Sequence, residues 1–108
     1  MTSRDRLYLT HILDAIQRIE SFAVDGRAAF LVDEKTQSAV MRQLEIIGEA
    51  AKQVSAEAKA QSPDVPWRAM AATRDRLIHG YFAVRLDIVW NVVENELPRI
   101  RKSVIRLL

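Results

Sequence analysis

Between Thr73 and Phe82 the chain reads TRDRLIHGYF, which gathers a guanidinium, a carboxylate, an imidazole and a phenol at Arg74, Asp75, His79 and Tyr81. Asp75 and His79 stand four apart and are neighbours on one helix face, where a carboxylate fixes the imidazole tautomer and favours its protonated form. An imidazole with an ordinary pKa of about 6.5 can take up and return a proton near neutrality. Arg74 stays charged at any ordinary pH, so what it offers is a planar fork for an anion. Counted along a helix from Pro66, Arg74 falls in a stripe otherwise made of Trp67, Met70, Ala71, Leu77, Ile78 and Tyr81. Desolvating a guanidinium without a partner is costly, so Arg74 must meet a carboxylate, reach a wet cleft or face a second subunit. A purely structural account is also open: Glu45 or Glu49 neutralises Arg74, His79 is a charge at a helix C-terminus, and Tyr81 is a core aromatic. Against that account, the rest of the chain holds only one other histidine, His11, and one other tyrosine, Tyr8.

The elements that must position these residues read as helices. Glycines and prolines number three each and no β-branched alternation is sustained, so the expectation is an all-α chain. A first helix fits Ser3 to Asp25, with Leu9, Ile12, Leu13, Ile16, Ile19 and Ala23 on one face and Gly26 as its C′ residue. A short apolar piece, Ala28 to Val32, precedes Asp33, the expected N-cap of a long helix running to about Gln61. Its seam is Val40, Leu44, Ile47, Ala51, Val54 and Ala58. Ser62 to Pro66 breaks the chain, and Pro66 suits the first position of a third helix that Gly80 is placed to end. The last helix fits Leu86 to Leu107, with Pro98 kinking it near Glu94 to Leu97 or splitting it into two abutting helices. Residues 1–108 are therefore expected to form a single domain, an antiparallel bundle of four main helices.

Composition excludes several classes of function. No apolar run approaches the roughly 18 residues of a membrane span, and MTSRDRLYLTHI places charges where a signal peptide needs its apolar centre, so a cytoplasmic location is expected. Zero cysteines rule out disulfides and thiolate zinc sites, two histidines leave little for an imidazole metal centre, and no phosphate loop, dinucleotide fingerprint or zincin helix is present. Neither metal nor cofactor is expected. Net charge is only +2, yet Arg99, Arg101, Lys102 and Arg106 have no acidic neighbour after Glu96, which reads as a solvated helix face. His11 reads as a boundary histidine, and Trp67 and Trp90 as core residues.

The segment R-D-R-L-I-H-G-Y resembles, without departure, the signature of the HepT-like toxins of the HEPN (higher eukaryotes and prokaryotes nucleotide-binding) superfamily: Arg, a polar residue, three variable residues, His, any residue, Tyr. LEIIGEAAKQ, VPWRAMAATRDRLIHGYF and LDIVWNVVENELPRI are similar to family segments in the expected order, so the resemblance covers nearly the whole chain. It implies an HEPN-like helical homodimer whose motif helices form a shared cleft, with a metal-independent endoribonuclease acting there on RNA. Arg74 then stabilises phosphorane charge, His79 transfers protons and Asp75 orients His79. It further implies the toxin component of a type II or type VII-like toxin–antitoxin system. The partner is an MNT-type nucleotidyltransferase antitoxin, in a larger hetero-oligomer, that adenylylates Tyr81 to O-AMP-tyrosine. The alternative is a non-catalytic helical dimer module that binds RNA, nucleotide or the nucleotidyltransferase.

Overall fold

The computed structural model describes residues 1–79 and 84–108, and every element among them is helical. Helix α1 spans Ser3–Phe22, α2 Gly26–Val32, α3 Glu34–Gln53, α4 Ala56–Ala60, α5 Trp67–His79, α6 Leu86–Asn91 and α7 Leu97–Leu107, with a π turn, Val92–Glu96, joining the last two. Among the described residues no helix is long and apolar enough to cross a membrane. The expected all-α class holds.

Helix α3 is the centre of the packing, lying along both α1 and α5, while α1 and α5 do not pack against each other to a comparable extent. The apolar seams explain this arrangement. Leu9, Ile12, Ile16 and Ile19 of α1 are fully buried, and the seam that begins at Val40 and Leu44 and continues through Ala51, Val54 and Ala58 is buried as well. Trp67, Met70 and Leu77 bring α5 into the same core, and Phe30 of α2 meets Trp90 of α6 with ring centroids 5.3 Å apart. Both tryptophans are core residues as expected. Trp67 Nε1 donates to the Ser62 carbonyl at 3.1 Å, and Trp90 Nε1 to Glu94 Oε2 at 2.8 Å.

Three boundaries differ from the sequence reading. First, α1 ends at Phe22 and not at Asp25. Gly26, with φ +88°, is the pivot from which α2 departs, so the short apolar piece begins two residues earlier than expected.

Second, the long helix capped by Asp33 stops at Gln53, and Val54 and Ser55 are extended before α4 resumes. The cause lies fifty residues away. The Asp5 carboxylate accepts both the Ser55 backbone N–H and the Ser55 hydroxyl, each at 2.8 Å, while also closing a capping box with Thr2 at the start of α1. Ser55 in turn accepts the Ala58 N–H and caps α4.

Third, the interruption of the last helix expected near Pro98 takes the form of a π turn between α6 and α7. The helix widens there, with the Leu97 N–H donating to the Val92 carbonyl five residues back. Pro98 has no N–H to give and crowds the carbonyl four residues before it, and the wider turn accommodates both demands. The expected termination of α5 by Gly80 and the placement of Tyr81 lie outside the described residues.

Candidate functional site

The site is built where α5 crosses α3, and the crossing is close because of Gly48. A Cβ at Gly48 would stand 2.3 Å from Arg74 Cβ and 2.6 Å from the Met70 carbonyl, so only glycine lets the two backbones approach this far. The root of Arg74 is thereby pressed onto α3, and its guanidinium is set beside the carboxylate one residue along.

Arg74 is partly buried, with 26% of its side chain exposed. Its Nε lies 3.2 Å from Glu49 Oε2, and its Nη1 donates to Asp75 Oδ1 at 3.0 Å. Asp75 Oδ1 also accepts from Lys52 Nζ at 2.7 Å. Two cations and two carboxylates thus form one network across α3 and α5. These bonds, that from Lys52 first and that from Arg74 second, hold the Asp75 carboxyl below its ordinary pKa. Of the three fates open to Arg74, the acidic partner is met, and it is Glu49 and not Glu45, which pairs instead with Arg42 at 3.1 Å.

The expected Asp75–His79 contact is not among the hydrogen bonds of the described residues. The geometry of one helix permits that pair, but Lys52, brought over from α3, offers Asp75 a closer and charged partner. His79, in the last turn of α5, is exposed. A separation of five residues places it about 140° from Arg74 around an ideal helix, so the helix alone does not bring the two together.

Two residues set aside in the sequence stand near Arg74. Tyr8 and His11 of α1, their rings edge to face with centroids 5.5 Å apart, line a groove of about 180 Å3 whose opposite wall is Arg74 and Ile78. No spacing in the sequence signals this, because it depends on α1 and α5 flanking the same helix. Of the basic residues at the C-terminus, Arg101 pairs with Glu20 of α1, while Arg99, Lys102 and Arg106 make no ion pair among the described residues.

Residues 12–107 match the family model described as ribonuclease HepT-like, a span that includes the network and the His79 turn. The chain belongs to the HepT-like ribonuclease family. It is 45% identical over 95 residues to a probable ribonuclease HepT of Thermococcus cleftensis, covering 87% of this chain and 86% of that protein. It is 42% identical over 100 residues to a candidate RNase of Methanocaldococcus jannaschii, covering 92% and 83% respectively. A candidate RNase of Caldanaerobacter subterraneus is 37% identical over 107 residues, 95% of this chain and 93% of that one. No solved structure matches the chain significantly. The HepT-like match begins at Ile12, so it takes in the motif helix but leaves out Tyr8 and His11.

Proposed function

We propose that this HepT-like chain is a metal-independent endoribonuclease, the toxin of a toxin–antitoxin pair acting in the cytoplasm, and that it works at a cleft shared by two copies. Family membership carries the nuclease reading. What supports the shared cleft is that Arg74 is drawn into the α3–α5 contact while His79 is exposed and about 140° away around an ideal helix, so a second motif helix would bring charge stabilisation and proton transfer together.

In the proposed reaction the ribose 2′-oxygen loses its proton to an imidazole and bonds to phosphorus. The phosphorus–O5′ bond breaks, and the departing oxygen takes a proton from an imidazolium. His79 supplies these transfers, from one copy or from both, and Arg74 faces the charge that builds on the phosphorane. The substrate carries its own nucleophile, so no metal-activated water is required. Arg74 must first exchange Glu49 and Asp75 for phosphate, which half-exposed carboxylates permit at modest cost. Purified protein is expected to cut single-stranded RNA in EDTA, leaving 2′,3′-cyclic phosphate and 5′-hydroxyl ends. Loss of cutting in EDTA with rescue by magnesium would overturn the mechanism.

Inactivation is proposed to occur at Tyr81, two residues beyond His79. Its phenolic oxygen attacks the α-phosphorus of ATP in a partner nucleotidyltransferase, pyrophosphate leaves, and the tyrosyl proton is lost. The AMP phosphodiester adds about one negative charge two residues along the chain from His79, to compete with the RNA phosphate. Co-expression with the nucleotidyltransferase is expected to raise the intact mass by AMP units that map to Tyr81. An unmodified Tyr81 in a neutralised complex would mean inhibition by occlusion.

One observation favours a second reading, a non-catalytic dimer module for RNA, nucleotide or the nucleotidyltransferase: Arg74 is already neutralised by its own chain. Growth arrest on induced expression, lost in His79→Ala, separates the two.

A further inference from the structure

The groove between α1 and α5 sets Arg74 beside residues that the nuclease reading does not use. One wall is the Tyr8–His11 edge-to-face pair, the other is Ile78 with Arg74, and the floor is the α3 surface carrying Glu45 and Glu49. Tyr8 is half-buried and its ring is packed under the Arg4 guanidinium at 5.6 Å, while Arg4 donates to Gln53 Oε1 at 2.6 Å, so the aromatic wall is braced from α3. Ile78 leaves 36% of its surface exposed, although it lies in the apolar stripe of α5. The space, about 180 Å3, suits one planar ring system between an aromatic and an aliphatic wall.

We propose that this groove is a nucleobase slot of the RNA site and that it reads guanine, with the Tyr8–His11 pair, one ring face-on and the other edge-on, as the aromatic wall and Glu45 as the reader. The proposal rests on the nuclease reading, since Arg74 at the rim would take the phosphate of the same nucleotide. Single-stranded RNA is recognised by unstacked bases that lie against Tyr or His rings and present their Watson–Crick edges. An ionised carboxylate only accepts hydrogen bonds, so the floor repels phosphate and selects an edge made of donors. Guanine places N1–H and the N2 amino group side by side and can engage both oxygens of one carboxylate. Adenine and cytosine set a ring-nitrogen lone pair beside their amino group, and uracil flanks its single N–H with carbonyls, so each opposes a lone pair to the carboxylate. Glu45 and Glu49 each pair with an arginine through Oε2 alone, but the Arg42 partner of Glu45 is 68% exposed, so that pair opens at modest cost and frees both Glu45 oxygens for one guanine edge. Glu45 is therefore the residue that discriminates.

The test uses the full chain and the four mononucleotides GMP, AMP, CMP and UMP, with binding read by amide chemical shifts. GMP is expected to bind about tenfold or more tightly than the others and to shift Tyr8, His11 and Glu45. Glu45→Gln removes the preference, Tyr8→Ala weakens GMP about tenfold, and Tyr8→Phe retains binding, with helical circular dichroism verifying each fold. Equal binding of all four nucleotides, shifts confined to other surfaces, or a GMP preference that survives Glu45→Gln overturns the slot. Cleavage of a uridine-rich RNA carrying one guanosine separates the two claims. Cutting without regard to the guanosine, in a chain with no GMP shifts, removes the slot and leaves the nuclease. GMP bound through Glu45 in a chain that cuts no RNA removes the nuclease and leaves the slot.

Discussion

At the scale of single residues, the network around Arg74 decides how the candidate site can be tested. Its ion pairs are partly exposed, so their loss is expected to cost little stability. Removing a group that stabilises transition-state charge or transfers a proton costs far more in rate. Arg74→Ala and His79→Ala are each expected to lower cleavage by about two to four orders of magnitude with helical circular dichroism intact. Equal loss of fold in both variants would support a structural role instead. The need of Arg74 for an acid was legible from its place in an apolar stripe, and Glu49 was one of the two candidates. The partner of Asp75 was not legible, because an i,i+4 neighbour is visible in sequence whereas Lys52, twenty-three residues earlier, becomes a neighbour only after α3 and α5 dock.

Elements obey the same division between local and distant causes. The buried seams follow largely from spacing: all six positions from Val40 to Ala58 are buried as expected, and so are Leu9, Ile12, Ile16 and Ile19 of α1, while Leu13 and Ala23 are only partly buried. The break at Val54 and Ser55 was missed because helical spacing continues through it, and the residue that imposes it is Asp5. Its carboxyl is lowered from 3.8 to about 2, chiefly by the Ser55 backbone N–H. A carboxyl depressed in the folded state stabilises above its unfolded value and ceases to do so as the pH falls through its folded value. Asp5→Asn should therefore lower the melting midpoint by several degrees at neutral pH, and thermal melts should show the gap to wild type closing as pH drops from 3.8 toward 2. Gly48 was visible only as part of a family-like segment, and its cause is the crossing itself. Gly48→Ala gains helix propensity of about 1 kcal/mol but forces α5 off α3, for a net destabilisation of about 2 kcal/mol or more by urea unfolding.

For the whole molecule, a small chain with exposed Leu7, Ile88 and Ile105 would gain core by association, and the proposed shared cleft would gain its second motif helix. Sedimentation at micromolar concentration is expected to give twice the 12.3 kDa of one chain. A monomer there would remove the shared cleft while leaving family membership untouched. The basic residues near the C-terminus, which read as a solvated face, are in part something else: Arg101 fastens α7 to α1 through Glu20, a contact that no local pattern announces.

The π turn between α6 and α7 also has a genetic meaning. A single π turn holds one residue more than the α-helix it interrupts, so Val92–Glu96 is equivalent to a one-codon insertion whose effect on register is absorbed where it occurs. Deleting Asn95 together with Pro98→Ala should convert the join into continuous α-helix and keep Trp90, Val93, Ile100 and Val104 inward. The same one-residue deletion within α7, at Lys102 for example, would rotate everything after it by about 100° and expose Val104. Circular dichroism and melting of the two deletion variants would distinguish a join that tolerates a change of length from a helix that does not.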